Sequence, residues 1–354
     1  MSILNVNKIN PVGGGSTITI AGIASVTNNI SVGNSVTAGS FVGPIEGAVT
    51  GNVTGNVTGN VTGDATGLSG NPSINTTGIV TATSFVPTAG QLSHRNIIVN
   101  GAMLVAQRGT SSTDSGYGSV DRFRVQHSGT DESPTQAQVD VASGTTPYTE
   151  GFRKAFKITN GNQTSGTGNT DYIGFRQTIE AQDLANSGWN YTSSSSFVTL
   201  SFWVKSSVAQ NFFGYLRTMD SPGQGFAFET GSLTADTWKK VEVIIPGSSS
   251  PALQFDDDTG DGLVIRWIPF YGTNKTDNSR ALNSWASYNG TQRTPNYTDT
   301  WWTTNDSTFE ITGVQLEVGA ASTPFEHLSY QNDLARCQRY YYNLTGGTGV
   351  VGMA

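Results

Sequence analysis

Apolar and polar residues alternate along several short stretches between residues 197 and 268. Residues 197–205, which read FVTLSFWVK, place every second side chain on the same face of an extended chain. Clusters of Gly, Pro, Asp and Ser separate these stretches at intervals typical of an antiparallel sandwich. The pattern predicts strands over residues 197–205, 211–216, 225–228, 239–245 and 262–268.

A convincing helical pattern occurs only near the end of the chain, over residues 329–341. Leu334, Cys337 and Tyr341 share one face of this helix, and Asp333 lies near its start, where the helix dipole favours an acid. The chain is therefore expected to be all-β with one short C-terminal helix.

A four-residue repeat, VTGN, runs through residues 49–67. Side chains alternate between the two faces of a strand with a period of two, and a four-residue repeat matches this period. Val and Gly therefore face one side, while Thr and Asn face the other. One such strand buries only a thin stripe of valine, which is too little to offset the chain entropy of ordering it. We therefore expect an intertwined homotrimer. In its stalk, the copies bury one another's Val49, Val53, Val57 and Val61.

The first quarter of the chain is poor in bulky side chains. Residues 1–93 contain three charged residues and two aromatic residues, both Phe. A globular core of this length needs more large apolar volume. A disordered low-complexity tail is the alternative, but the abundant β-branched residues favour strands that become ordered on oligomerisation.

Composition and charge exclude several classes of protein. Only 13% of the 354 residues are charged, 43 are Gly, and the net charge is −7. No basic cluster occurs, so we expect no nucleic-acid partner. No run of residues approaches a membrane span, so we expect no membrane insertion. The single cysteine excludes an intramolecular disulfide, and the first residues lack the apolar core of a signal peptide, so release by lysis is expected.

Two groups of motifs resemble a known family. Residues 94–109, HRNIIVNGAMLVAQRG, and the following GYGSVDRF are similar to the opening of a carbohydrate-binding-like domain found in many phage tail-fibre proteins. The matching close lies in residues 309–342, where GVQLEVG, TPFEH and CQRYY stand in the order of that family. The first residues, MSILNVNKINPVGGGSTITIAG, resemble the start of structural proteins from tailed phages of marine bacteria and cyanobacteria.

This resemblance implies a jelly-roll β-sandwich head over residues 94–342. A virion-anchoring β segment over 1–48 and a fibre stalk over 49–93 precede it, and 343–354 form a C-terminal tail or the start of a further segment. The implied protein is a homotrimeric tail fibre of the virion, extracellular after release. Its implied partners are other copies of itself, tail or baseplate proteins at the N-terminus, and host-surface polysaccharide.

The sequence carries no recognised catalytic motif. His94, His127, His327 and Cys337 are scattered without metal-ligand spacing. No G-x-S-x-G, P-loop or G-x-G-x-x-G before a helix is found. We therefore expect no enzyme activity and no cofactor. A polysaccharide depolymerase is the less favoured alternative, since any two of the 26 acids could meet in space as a catalytic pair.

The densest acidic patch is DDDTGDG at residues 256–262. Asp256, Asp258 and Asp261 could supply oxygen ligands to Ca²⁺. The spacing fails the EF-hand pattern, because its twelfth position is Ile268 instead of Glu. A solvated turn between strands is the favoured interpretation.

A polar segment with aromatic rings every few residues occupies residues 273–300 and the two positions that follow. Sugar rings stack on aromatic faces, and neighbouring amides and charges bind the hydroxyl groups. The predicted glycan contacts are Trp285, Tyr288, Tyr297, Trp301, Trp302, Arg280 and Asp277. Packing of these rings between head subunits is the competing interpretation. If the adjacent Trp301 and Trp302 lie in a strand, one ring faces inward and the other outward.

The predicted function is adsorption to host-surface glycans by multivalent, non-covalent binding, in which three heads per fibre add their weak contacts. The alternative is a purely structural fibre or decoration protein of the baseplate or capsid.

Overall fold

Residues 94–343, the part of the chain that this computed structural model describes, form two antiparallel β-sheets of six strands each. In spatial order, the first sheet consists of β1 (Ser111–Ser112), β3 (Thr135–Asp140), β4 (Lys154–Thr159), β12 (Thr308–Val318), β6 (Phe197–Ser206) and β9 (Lys239–Pro246). The second sheet consists of β11 (Trp285–Ser287), β8 (Gln224–Ser232), β7 (Asn211–Thr218), β10 (Asp261–Tyr271), β5 (Tyr172–Glu180) and β2 (Arg124–Ser128). The five strands predicted between residues 197 and 268 correspond to β6, β7, β8, β9 and β10.

The strand order is that of a jelly roll. From β4 to β12 the chain passes repeatedly between the sheets, so the central strands of the first run β4-β12-β6-β9 and those of the second β5-β10-β7-β8. This double-sheet arrangement leaves one face of each sheet for the core and one for the surface. The prediction of an all-β, antiparallel jelly-roll sandwich is confirmed for the described residues.

The helices are few and short: α1 (Thr146–Thr149), α2 (Ala181–Ala185), α3 (Thr300–Thr303), α4 (Tyr330–Gln338) and a 3₁₀ turn at Thr273–Lys275. The predicted C-terminal helix is α4. It begins after Ser329, whose hydroxyl caps it by accepting from the Asn332 N–H at 3.3 Å. Within residues 94–343, no helix combines the length and apolar character needed to cross a membrane.

Aromatic side chains from both sheets meet in the core. Phe156 of the first sheet packs edge-on against Phe175 of the second, with ring centroids 5.0 Å apart. Trp267 stacks on Phe175 at 5.6 Å and meets Phe202 of the first sheet at 5.9 Å. These rings are fully buried, or nearly so, and offset or edge-on pairs of this kind add to the stabilisation from burial. Trp267 is therefore a core residue of the sandwich.

The motifs at the two ends of the described residues pack against each other. The buried Asn96 side chain donates to the Val314 carbonyl and accepts from the Leu316 N–H, each at 3.1 Å. The Glu326 carboxylate accepts from the Asn96 N–H at 2.9 Å. Gly101 approaches so closely that a Cβ there would lie 2.0 Å from the Val314 oxygen. The motif residues therefore join the first segment of the sandwich to β12.

The predicted anchor (1–48) and stalk (49–93), and all but the first residue of the predicted tail (343–354), lie outside the described residues. Val49, Val53, Val57 and Val61 lie there too. The stalk and the homotrimer stay predictions.

Candidate functional site

The three tryptophans predicted to contact glycan are core residues. Trp301 and Trp302 are fully buried on the short α3, and their indole N–H groups donate to the carbonyls of Thr308 and Gly166, at 3.0 and 2.7 Å. Trp285 is buried on β11, packs against Phe226 and donates to the Pro246 carbonyl at 2.7 Å. This corrects the expectation for all three rings, because core neighbours occupy the faces that a sugar would need. Trp301 and Trp302 lie in a helix, so the alternation expected of a strand does not apply to them.

The other four predicted contacts lie in the segment between β10 and α3. Tyr297 is partly buried, and its hydroxyl donates to the Phe213 carbonyl at 3.0 Å. Arg280 is half-buried and donates to the Gly225 carbonyl. The Asp277 carboxylate accepts from the Ser279 N–H at 2.8 Å and from the Gln292 amide at 2.9 Å, and these hydrogen bonds lower its pKa. The fourth residue, Tyr288, lies close to two positively charged side chains.

Two guanidinium groups lie near the ring of Tyr288. The guanidinium carbon of Arg217 is 3.9 Å from the Tyr288 ring centroid, and that of Arg293 is 5.9 Å from it. The ring is partly exposed. Tyr215 on β7 packs nearby and is buried beneath this segment. An aromatic ring and two positive charges therefore lie together on the outer face of the second sheet, the face that points away from the core.

The same outer face carries a row of three arginines, which we call the arginine row: Arg124, Arg176 and Arg266. Arg176 on β5 lies directly opposite Arg124 on β2 and Arg266 on β10. Adjacent residues such as Val125 and Trp267 point into the core. Because side chains alternate along a strand, the three arginines share the opposite face.

No carboxylate neutralises the arginine row. Among residues 94–343, no Asp or Glu forms an ion pair with any of its members, and none of their side chains makes a hydrogen bond. Burial, followed by the positive charges of Arg266 and Arg124, lowers the pKa of Arg176. Each member is partly exposed.

The arginine row leads into the aromatic part of the face. Arg266 lies opposite Tyr215 on β7, and its guanidinium carbon is 5.9 Å from the Tyr215 ring centroid. One continuous surface therefore runs from the edge strand β2, across β5 and β10, to the tyrosines and the segment that follows β10.

A cavity of about 490 Å³ lies at the end of this surface. Its lining includes Tyr271, Tyr297, Asn169, Thr276 and Asp299. Ring faces, hydroxyls, an amide and a carboxylate are the groups that bind sugars, and the volume falls within the usual range for small-molecule sites.

The acidic residues of the 256–262 turn do not form a metal centre. The Asp258 carboxylate accepts from the Gly260 N–H at 2.9 Å, and the Asp256 N–H donates to the Asp220 carboxylate at 3.1 Å. In the described part of the chain, no three His, Cys, Asp or Glu side chains lie close enough together to hold a metal ion. Asp256, Asp258 and Asp261, the weaker calcium candidates, form no such cluster, and the contacts of Asp256 and Asp258 are those of the turn favoured from the sequence.

Sequence reasoning missed the arginine row. Along β2, β5 and β10, each arginine has neighbours whose side chains face the core. This alternation can be read from the sequence. The three positions are far apart in the chain, however, and only the pairing of the strands brings them side by side.

No model of a protein family matches the chain, and no curated protein matches its sequence. Solved structures with some likeness include a CBM4 structure, with 14% identity and a TM-score of 0.31 over 62% of this chain and 98% of that one. A family 11 carbohydrate-binding module from Clostridium thermocellum, in complex with a β-1,3-1,4-mixed-linked tetrasaccharide, has 13% identity and a TM-score of 0.27, over 62% and 98%. The N-terminal cellulose-binding domain of a Cellulomonas fimi β-1,4-glucanase has 12% identity and a TM-score of 0.26, over 62% and 99%. Because these identities and TM-scores are low, the candidate site is assigned only from the contacts of its own residues.

Proposed function

We propose that this chain is a tail-fibre protein of a tailed phage and binds a host-surface glycan through the outer face of its second sheet. The observation that carries the proposal is the partly exposed Tyr288 ring, which lies near Arg217 and Arg293 on the surface that continues into the arginine row. Binding is non-covalent and needs no cofactor.

The chemistry of this face suits a sugar. The C–H surface of a sugar ring packs on a tyrosine, and guanidinium and amide groups donate to its hydroxyls. Arg217 makes no side-chain hydrogen bond among the described residues, so its donors are not used by the fold. Gln292 and Asn289 border the same tyrosine and add amide groups.

The tail-fibre part of the proposal is supported by the sequence. The opening and closing motifs resemble those of tail-fibre head domains, and the VTGN repeat favours an intertwined stalk. A homotrimer would present three copies of the face on one fibre, so weak individual contacts would combine into firm attachment. The partners of such a fibre are tail or baseplate proteins of the virion and the polysaccharide of the host, and its location is the virion.

One observation favours the structural alternative. Trp285, Trp301 and Trp302 serve packing within the head, as expected of a rigid fibre or decoration protein without a ligand. The glycan-binding function requires a glycan on the outer face of the second sheet, whereas the structural alternative leaves that face without a ligand.

A glycan array probed with the full-length chain tests the proposal. We expect binding to a defined set of glycans and a loss of roughly tenfold or more in affinity with Tyr288→Ala, because buried tyrosine anchors contribute strongly to binding. Tyr148→Ala is the matched control, since Arg153 lies 3.9 Å from the Tyr148 ring centroid, the same distance as in the Arg217–Tyr288 pair. No binding to any glycan would favour the structural alternative.

A further inference from the structure

The arginine row is a feature that folding alone does not explain. Like charges directly opposite each other on neighbouring strands destabilise a sheet. Arg176 faces two such neighbours at once, Arg124 on one side and Arg266 on the other.

The surroundings do not relieve this repulsion. Asp261 is the carboxylate that raises the pKa of Arg176, but the lowering effects of burial and of the two arginines are larger. Asp261 forms no ion pair with any member of the row. The Nε of Arg176 is buried and has no hydrogen-bond partner among the described residues. Within the described residues, three guanidinium groups therefore lie together without a paired anion.

The positive charge is local. The whole chain has a net charge of −7 and a pI of about 4.9, so general attraction to polyanions is not expected. A basic row on an acidic protein concentrates the attraction for an anion on one face.

We propose that the glycan bound by this face is an acidic polysaccharide, whose carboxylate or sulfate groups pair with the arginine row. This inference rests on the proposed glycan-binding function and specifies its substrate class. A guanidinium group donates two parallel hydrogen bonds to a carboxylate or a sulfate, and such charge-assisted bonds are about twice as strong as neutral ones.

The spacing of the row suits a polymer. Neighbouring strands are about 4.8 Å apart, so three arginines on adjacent strands span roughly 10 Å. A chain of sugars crossing the strands meets more than one arginine and then reaches the partly exposed Tyr288, which packs near the buried Tyr215. The charged groups select the acidic units, and the tyrosine and amide groups contact the sugar rings.

A sugar polymer fits this surface better than a nucleic acid. A duplex binder neutralises many phosphates along an extended basic track, whereas this row is only three arginines wide. The cavity lined by Tyr271 and Tyr297 also carries hydroxyl, amide and carboxylate groups, and its volume suits a small unit such as a sugar.

Binding of the full-length chain to three polymers with the same glucan backbone tests this proposal: carboxymethyl-dextran, dextran sulfate and neutral dextran. We expect binding to one or both charged forms, weaker binding as salt is raised, and no binding to dextran. The double variant Arg176→Gln/Arg266→Gln should weaken binding to the charged forms by about tenfold or more.

The control variant Lys154→Gln/Lys240→Gln removes the same charge from the first sheet and should leave affinity unchanged. Thermal unfolding provides a second readout. Removal of two repelling charges should leave the melting temperature of Arg176→Gln/Arg266→Gln equal to or above that of the parent chain, so lost binding cannot be ascribed to unfolding.

Equal binding to dextran and its charged forms, or equal losses in the two double variants, would overturn the acidic-ligand proposal. Tighter binding to duplex DNA through the same arginines would also overturn it, in favour of a nucleic-acid ligand. If charged dextrans are not bound but neutral glycans on the array are, the acidic specificity fails and the glycan-binding function stands. If no glycan of either kind is bound, both fail together.

Discussion

Asn96 donates a hydrogen bond from its side-chain amide to the carbonyl of Val314, 218 positions further along the chain. The same side chain accepts from the N–H groups of Ile98 and Leu316. Asn96 is buried, so each of these backbone groups depends on it for a partner. The opening motif therefore fastens the beginning of the sandwich to its last strand.

Replacement of Asn96 by Ala should destabilise the head strongly. Each buried backbone group left without a partner costs about 1–3 kcal/mol, so we expect a loss of at least about 2 kcal/mol in the free energy of unfolding. Urea denaturation of the full-length chain measures it. Asn190→Ala, at an exposed turn where the side chain accepts from Thr192, is the control and should change stability little. A loss no larger than that of the control would remove the architectural role of the motif.

The ion pair between Glu180 and Arg339 should make stability depend on pH. Arg339 donates two hydrogen bonds to the Glu180 carboxylate, at 3.0 and 2.7 Å. These bonds outweigh burial and lower the pKa of Glu180 from 4.5 to about 2. Because the pKa is lower in the folded state, this stabilisation is complete above pH 4.5 and is lost as pH falls towards 2.

Melting temperatures of Glu180→Gln and the parent chain, measured between pH 7 and pH 2, check this dependence. The difference between them should be largest near neutral pH and shrink through the acid range. Asp140→Asn, which breaks the exposed pair with Lys154, is the control and should have little effect at any pH. A difference that stays constant with pH would contradict the role given to Glu180.

Cys337 should be unreactive in the folded protein. It is buried, and burial, followed by the charges of Asp121 and Asp333, raises the pKa of its thiol to about 12. Since the thiolate is the reactive form, a thiol reagent at pH 8 should label it only after denaturation. Mass spectrometry measures the labelling. Rapid labelling of the native chain would contradict the prediction and show that α4 opens readily.

Trp302 should contribute to stability as a core residue. Its ring packs against Phe270, with centroids 4.8 Å apart, and its N–H donates to the Gly166 carbonyl. Trp302→Ala should cost about 3–5 kcal/mol, measured by thermal or urea unfolding. Trp238, which is only partly buried, provides the comparison, and Trp238→Ala should cost less. Equal effects would indicate that Trp302 is not held in the core as described.

Alternation of apolar residues was enough to predict the strands and the sandwich, because a strand with one buried face repeats every two residues. β9 illustrates this: the predicted 239–245 became Lys239–Pro246, in which Val241, Val243 and Ile245 are buried and the residues between them are exposed. The rule did not apply to Trp301 and Trp302, since these residues lie in a four-residue helix that buries both rings.

The candidate site was less predictable than the fold. Tyr288 stands out as an aromatic residue in a polar segment, but its position near Arg217 and Arg293 depends on tertiary packing. The arginine row depends on which strands become neighbours and in which register, and an isolated strand carries no such information.

The most direct test of the account is hydrogen–deuterium exchange of the full-length chain, with and without the strongest glycan ligand from the array. We predict that the glycan protects β5, β10 and the segment of residues 272–299, while exchange in β3 and β9, which lie towards opposite edges of the first sheet, stays unchanged. Protection confined to the first sheet, or to residues outside the second sheet and its following segment, would contradict the claim that this face is the binding site.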